Sequence, residues 1–76
     1  MVGNPKYQLG DKVKFKCDND IKEGYIAIVD KYGTFFNDKD ASYDILNKDE
    51  KMLYKHFTES LILEKIGSID PKEIWK

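Results

Sequence analysis

Arginine is absent from this sequence. All 13 of its basic residues are lysines, and the formal net charge of the 76-residue chain is −1. Arginine is the side chain that makes two-pronged contacts with phosphate and guanine. Its absence argues against sequence-specific recognition of a nucleic acid, although lysines alone can bind a phosphate backbone.

Cysteine pairs and long apolar segments are also missing. The single cysteine, Cys17, cannot form a disulfide within the chain, and no segment has the charged start and apolar stretch of a signal peptide. No apolar segment approaches the roughly 20 residues that cross a bilayer. We expect a soluble, cytoplasmic protein without a membrane partner.

The side chains needed for catalysis are few. Cys17 and His56 are the only candidates for a nucleophile and its base. Cys17 falls on the apolar phase of a predicted strand, where a thiol behaves as a small hydrophobic group. The polar cluster at residues 18–20 is followed by Glu23 at the position where a calcium loop requires glycine. We therefore expect no enzyme, no cofactor and no metal site.

Two antiparallel strands open the predicted fold. Between residues 12 and 17 lysines alternate with apolar residues, and this period of two indicates a strand with one apolar face. These lysines could bind phosphate. The alternative is that they only keep the outer face of the sheet soluble. A second strand is predicted over residues 21–29, with a bulge or bend at Gly24. Beyond Gly24 both faces are apolar, as in a curled sheet.

Three further strands are predicted over residues 42–46, 52–57 and 61–66, with a tight helical turn over 58–60. The apolar residues between 49 and 66 also recur at intervals of four, which fits a single helix. We favour strands, because the strand from residue 42 needs a partner that lies close in sequence.

The last residues, 68–76, are predicted to form a helical turn that packs on the sheet. Asp70 suits the N-cap position, Pro71 the first helical position and Glu73 the third. The turn is expected to lay Ile74 and Trp75 on the core. Residues 1–8 are expected to form a flexible arm, which leaves residues 9–67 as the folded domain, and Tyr7 and Leu9 are candidates to dock on the edge of that domain.

The order of these elements resembles an SH3-like barrel of the Tudor or KOW type over residues 9–66. The residues that carry the resemblance are Gly10, Asp11, Val13, Gly24, Ile26, Val29, the segments 43–46 and 53–57, and the turn at Glu59, Ser60 and Leu61. The resemblance implies a mainly β chain whose five strands close into a barrel, with a short C-terminal helical turn. The chain also resembles small uncharacterised proteins of low-GC Gram-positive bacteria and their mobile elements, and that likeness implies no activity.

Ring side chains are the best candidates for a binding site. They exceed what a small core encloses, and exposed aromatic clusters commonly mark contact surfaces. The alternative is that the rings simply pack in the core and at its rim. In a barrel of the SH3-like type some of them would line a shallow groove. The candidate groove residues are Tyr25, Tyr32, Phe35, Tyr43, Tyr54 and His56.

These features lead to two functional hypotheses. The first is a non-catalytic module that binds a protein partner, or a second copy of itself, through the aromatic groove. The alternative is weak nucleic-acid binding by an accessory protein of a phage or mobile element, with rings that stack on single strands. The lysines of this alternative are Lys12, Lys14, Lys16, Lys22 and Lys31.

Overall fold

Five strands and two short 3₁₀ turns make up the fold. The computed structural model describes residues 5–30 and 41–75. The strands are β1 (Asp11–Cys17), β2 (Asp20–Asp30), β3 (Ser42–Asn47), β4 (Met52–Thr58) and β5 (Ile62–Ser68), and the 3₁₀ turns are Glu59–Leu61 and Pro71–Glu73. The strand prediction for residues 49–66 is confirmed, and the helical alternative is wrong. None of the helices in the described ranges is long and apolar enough to cross a membrane.

All five strands belong to one antiparallel sheet with the order β4-β3-β2-β1-β5. The prediction of a mainly β chain with five strands is confirmed. The predicted closure into a barrel is wrong, because β4 and β5 are the two edges and no ladder joins them in the part of the chain that the structure describes. The C-terminal helical turn is present only as a 3₁₀ turn.

The sheet is strongly curled. Phe15 of β1 and Phe57 of β4 are separated by two intervening strands, yet their ring centroids are only 5.2 Å apart. In a flat sheet three strand spacings would separate them by about 14 Å. The sheet therefore has a concave face that encloses the core and a convex face that points away from it.

The core fills this concave face. Its buried members are Tyr7, Val13, Phe15, Ile26, Ala41, Tyr43, Ile45 and Ile62, and Cys17, Val29, Tyr54 and Phe57 pack against them at the rim. The alternation predicted for β1 is confirmed, since Val13 and Phe15 are fully buried. Tyr7 belongs to the segment predicted as a loose arm, but it is a core residue and is only 4% exposed.

One extra residue bends β2. Ile26 pairs with Ile45 and Ile28 pairs with Asp44, so Ala27 has no partner of its own on β3. Ile26 and Ala27 are consequently both buried, although they are consecutive residues. This bulge accounts for the apolar character that β2 shows on both faces.

Gly24 is required for a different reason from the one predicted. The pairing of β1 with β2 runs through Gly24 without a shift. A β-carbon at this position would lie 2.6 Å from Cγ2 of Ile45 and 2.8 Å from the carbonyl oxygen of Leu46. Glycine therefore lets β3 approach β2 closely, and the predicted bulge lies three residues further along, at Ala27.

The two edge strands also contain extra residues. In β4, Lys55 and His56 together face Asp44 of β3, and His56 adopts a left-handed backbone with φ of 61°. The His56 N–H donates a hydrogen bond to Oδ1 of Asp44 at 3.1 Å. In β5, Leu63 and Ile66 are passed over in the pairing with β1.

The C-terminal segment crosses to the convex face. The Ile69 N–H donates to the Gly10 carbonyl at 2.8 Å, and Asp70 caps the following turn by accepting from the Lys72 N–H. Ile74 is buried, whereas the prediction that Trp75 lies on the core is wrong, because this residue is 61% exposed. Ile74 does not belong to the main core cluster, and it lines a shallow pocket together with Leu46 and Trp75.

We predict that Gly24→Ala lowers the free energy of unfolding by about 1–3 kcal/mol, because the added methyl group forces β2 and β3 apart. Urea unfolding followed by circular dichroism measures this change. Gly67→Ala is the matched control. Its added β-carbon would meet only Cβ of Lys12 at 3.8 Å, an ordinary contact. Equal losses in the two variants would contradict the close approach of β3.

Candidate functional site

Among the described residues, three aromatic rings meet on the concave face, and we call Phe15, Tyr54 and Phe57 the concave ring cluster. Their centroids lie 5.2 to 5.9 Å apart, and each pair meets edge to face with interplanar angles between 60° and 78°. Phe15 is fully buried, whereas Tyr54 and Phe57 are partly exposed. The cluster is therefore a rigid aromatic surface with a buried base and an accessible rim.

The bulge in β4 builds this cluster. Tyr54 pairs with Ile45 and Phe57 pairs with Tyr43, and both of these β3 residues are in the core. In a regular strand residues three apart point to opposite faces. The extra residue between them turns Tyr54 and Phe57 to the same side.

A charged network borders the cluster. The Tyr54 hydroxyl donates to Oε1 of Glu50 at 2.6 Å, and the Lys22 ammonium donates to Oε2 of the same carboxylate at 2.8 Å. Lys22 pairs with Phe15 and therefore points to the concave side. The hydrogen bonds from Lys22 and Tyr54 lower the pKa of Glu50, and their acceptance by Glu50 raises the pKa of both donors.

Tyr43 is a core residue. Its hydroxyl accepts a hydrogen bond from the Tyr7 N–H at 3.3 Å and donates to Oε2 of Glu59 at 3.1 Å. Its ring meets the ring of Tyr7 edge to face. Burial raises the pKa of Tyr43 to about 12. Tyr43 joins the N-terminal segment to the sheet. Because only 1% of its surface is exposed, it is too buried to line a binding groove.

Tyr25 lies on the opposite, convex face. It pairs with Leu46, and both alternate with core residues of their strands. The ammonium groups of Lys12 and Lys48 lie 5.6 and 5.7 Å from its ring centroid, within the range of cation–π attraction. Tyr25 and Tyr54 therefore do not share one surface.

The remaining candidates are placed as follows. His56 is exposed in the bulge of β4, and its left-handed backbone is one that histidine adopts more readily than most residues. Tyr32, Phe35 and Lys31 lie outside the described residues. Of the four proposed groove residues that the structure describes, Tyr54 alone belongs to the concave ring cluster, and the sequence pattern did not identify its partners Phe15 and Phe57 as site residues.

The lysines of the alternative hypothesis do not form one basic surface within the described ranges. Lys12 is 3.7 Å from a carboxylate oxygen of Glu23, and Lys14 pairs with Glu23 on one side and Glu64 on the other. Lys22 points to the concave side, where it binds Glu50, and Lys16 stands exposed beside Ile21. Acidic side chains thus interrupt the positive charge that a phosphate backbone would need.

Among residues 5–30 and 41–75, no group of three or more His, Cys, Asp or Glu side chains is arranged to hold a metal ion. Cys17 packs at the rim of the core. Comparisons with protein-family models, with curated proteins and with solved structures find no match. The resemblance to SH3-like barrels stays a prediction.

We predict that the protein loses stability between about pH 10 and pH 12 through Tyr43. An unfolded tyrosine has a pKa of about 10, and the folded value is about 12, so the folded state retains the proton longer. The stabilisation of the folded state by protonated Tyr43 is complete below pH 10 and is lost as the pH rises through the folded pKa. Urea unfolding at several pH values measures it.

Tyr43→Phe is the control for this pH dependence. The variant is less stable at neutral pH, because it loses both hydrogen bonds of the hydroxyl. Lys22 and Tyr54 also have raised pKa values, but they are present in both proteins. The difference between the two curves therefore isolates Tyr43, and parallel curves above pH 10 would refute the assignment.

Proposed function

We propose that the protein is a non-catalytic binding module that recognises a protein partner at the concave ring cluster. The observation that carries this proposal is the pair of partly exposed rings, Tyr54 and Phe57, backed by buried Phe15. The five-stranded order with a 3₁₀ turn before the last strand supports an open variant of the SH3-like architecture.

The rigidity of the cluster favours binding. Tyr54 and Phe57 stand on one strand and contact each other and Phe15 edge to face. Such rings lose little conformational freedom when a partner is bound, so more of the contact energy appears as affinity. Aromatic side chains in this setting are also the residues that commonly dominate interface energies.

The border of the cluster gives the site its polarity. Glu50 holds both the Tyr54 hydroxyl and the Lys22 ammonium, so a charged group lies directly beside an apolar ring surface. An apolar centre with a polar rim is the usual anatomy of a protein interface.

The partner's contribution is an apolar or aromatic side chain that packs on these rings. Such a side chain packs against the exposed parts of Tyr54 and Phe57, and Glu50 and Lys22 beside them provide polar groups for the partner's backbone. A second copy of this chain is the competing occupant, and sedimentation velocity distinguishes it from a different protein.

The experiment compares capture of protein partners by immobilised wild-type protein, Tyr54→Ala and Tyr25→Ala. We expect Tyr54→Ala to reduce capture at least about tenfold, since truncating a central interface aromatic typically costs more than 1 kcal/mol. Tyr25→Ala removes a ring from the convex face and is expected to retain capture. Thermal unfolding of each variant confirms that it remains folded at the assay temperature.

Two results would overturn this proposal. Capture that survives Tyr54→Ala and fails with Tyr25→Ala would move the site to the convex face. Binding of single-stranded DNA or RNA at about 50 mM salt, with a steep loss at higher salt, would favour the nucleic-acid alternative. We place that alternative second, because the described lysines are interspersed with acidic side chains.

A further inference from the structure

A second concavity lies on the convex face, where the C-terminal segment meets the β3–β4 turn. Its volume is about 300 Å³, and we call it the convex pocket. The described residues that line it are Leu46, Lys48, Lys51, Ile74 and Trp75. It lies across the sheet from the concave ring cluster, so it is separate from the site proposed above.

The lining of the convex pocket is apolar on its floor and aromatic on one side. Leu46 points outward because its neighbour Ile45 is in the core, and Ile74, which belongs to the C-terminal segment, is 1% exposed. Trp75 leaves 61% of its surface open to solvent. A large exposed indole beside an apolar floor is a surface on which a flat ring can stack.

The charge at the convex pocket is positive. Both charged residues among its described lining are lysines, Lys48 and Lys51. The Lys48 ammonium donates to the Glu73 carbonyl at 2.6 Å, which uses one of its three N–H groups and fixes its position. Lys51, whose backbone is left-handed with φ of 54°, lines the same pocket from the end of the β3–β4 turn.

We propose that the convex pocket binds a small anion with a flat aromatic body, which stacks on Trp75 while its acidic group lies between Lys48 and Lys51. Leu46, which is partly exposed, supplies the apolar floor. An acidic group on an aromatic ring matches both halves of this lining, whereas a simple inorganic anion would use only the lysines.

Trp75 is the only tryptophan of the chain, so its fluorescence reports directly on the pocket. The titration uses two anionic probes, adenosine monophosphate and naphthalene-2-carboxylate, beside their neutral counterparts, adenosine and naphthalene-2-carboxamide. We expect saturable quenching by at least one anionic probe below about 1 mM, a limit above which binding is weak. The neutral counterpart of that probe is expected to bind about tenfold more weakly, because it lacks the charge-assisted hydrogen bonds.

Lys51→Asn removes one positive charge, and asparagine tolerates the left-handed backbone of this position. We expect it to weaken the anionic probe about tenfold, the loss of one charge-assisted hydrogen bond. Lys16→Gln is the matched control, because it removes an exposed lysine of β1 that does not line the convex pocket. It is expected to leave binding unchanged.

The comparison of the two probes identifies the acidic group that the pocket prefers, phosphate or carboxylate. Equal binding of an anion and its neutral counterpart would overturn the proposal, because the lysines would then contribute nothing. Equal weakening by Lys51→Asn and Lys16→Gln would overturn it as well, as would the absence of saturable quenching by either anion. None of these results bears on the concave ring cluster, since Tyr54→Ala is tested separately.

Discussion

The contact of Phe15 with Tyr54 and Phe57 is the interaction on which the rest of the structure depends. It joins β1 to β4 across two strands and so fixes the curvature of the sheet. Curvature encloses a core that a chain of 76 residues could not build from a flat sheet, which exposes both faces. The same contact leaves two ring edges accessible, so the residues that stabilise the fold also form the candidate site.

Local sequence patterns predicted the strands well. Three of the correct predictions involve only residues that are close in sequence. They are the alternation of lysines in β1, the turn that connects β3 to β4, and the capping signal of Asp70 and Pro71. Period, turn chemistry and capping are properties of such short segments. This is why the number of strands and their positions along the chain could be predicted, whereas the closure of the sheet could not.

Features that depend on distant partners were not predictable. A bulge exists only relative to the neighbouring strand, so the sequence around Ala27 or His56 does not reveal it. Tyr54 and Phe57 are three residues apart and would point to opposite faces without that bulge. Tyr43 was assigned to a groove because its partners, Tyr7 and Glu59, lie 36 and 16 residues away. Trp75 was predicted to lie on the core together with Ile74, but only Ile74 is buried.

The extra residues in β4 and β5 have a consequence for self-assembly. In the part of the chain that the structure describes, β4 and β5 each pair with a strand on one side only. Regular sheet edges of this kind promote pairing with other chains and growth into fibrils. His56 turns the backbone of one border out of the extended conformation, and Leu63 and Ile66 interrupt the other. An incoming strand would lose its alignment after a few residues at either border. These irregularities therefore oppose the addition of further strands at the two edges.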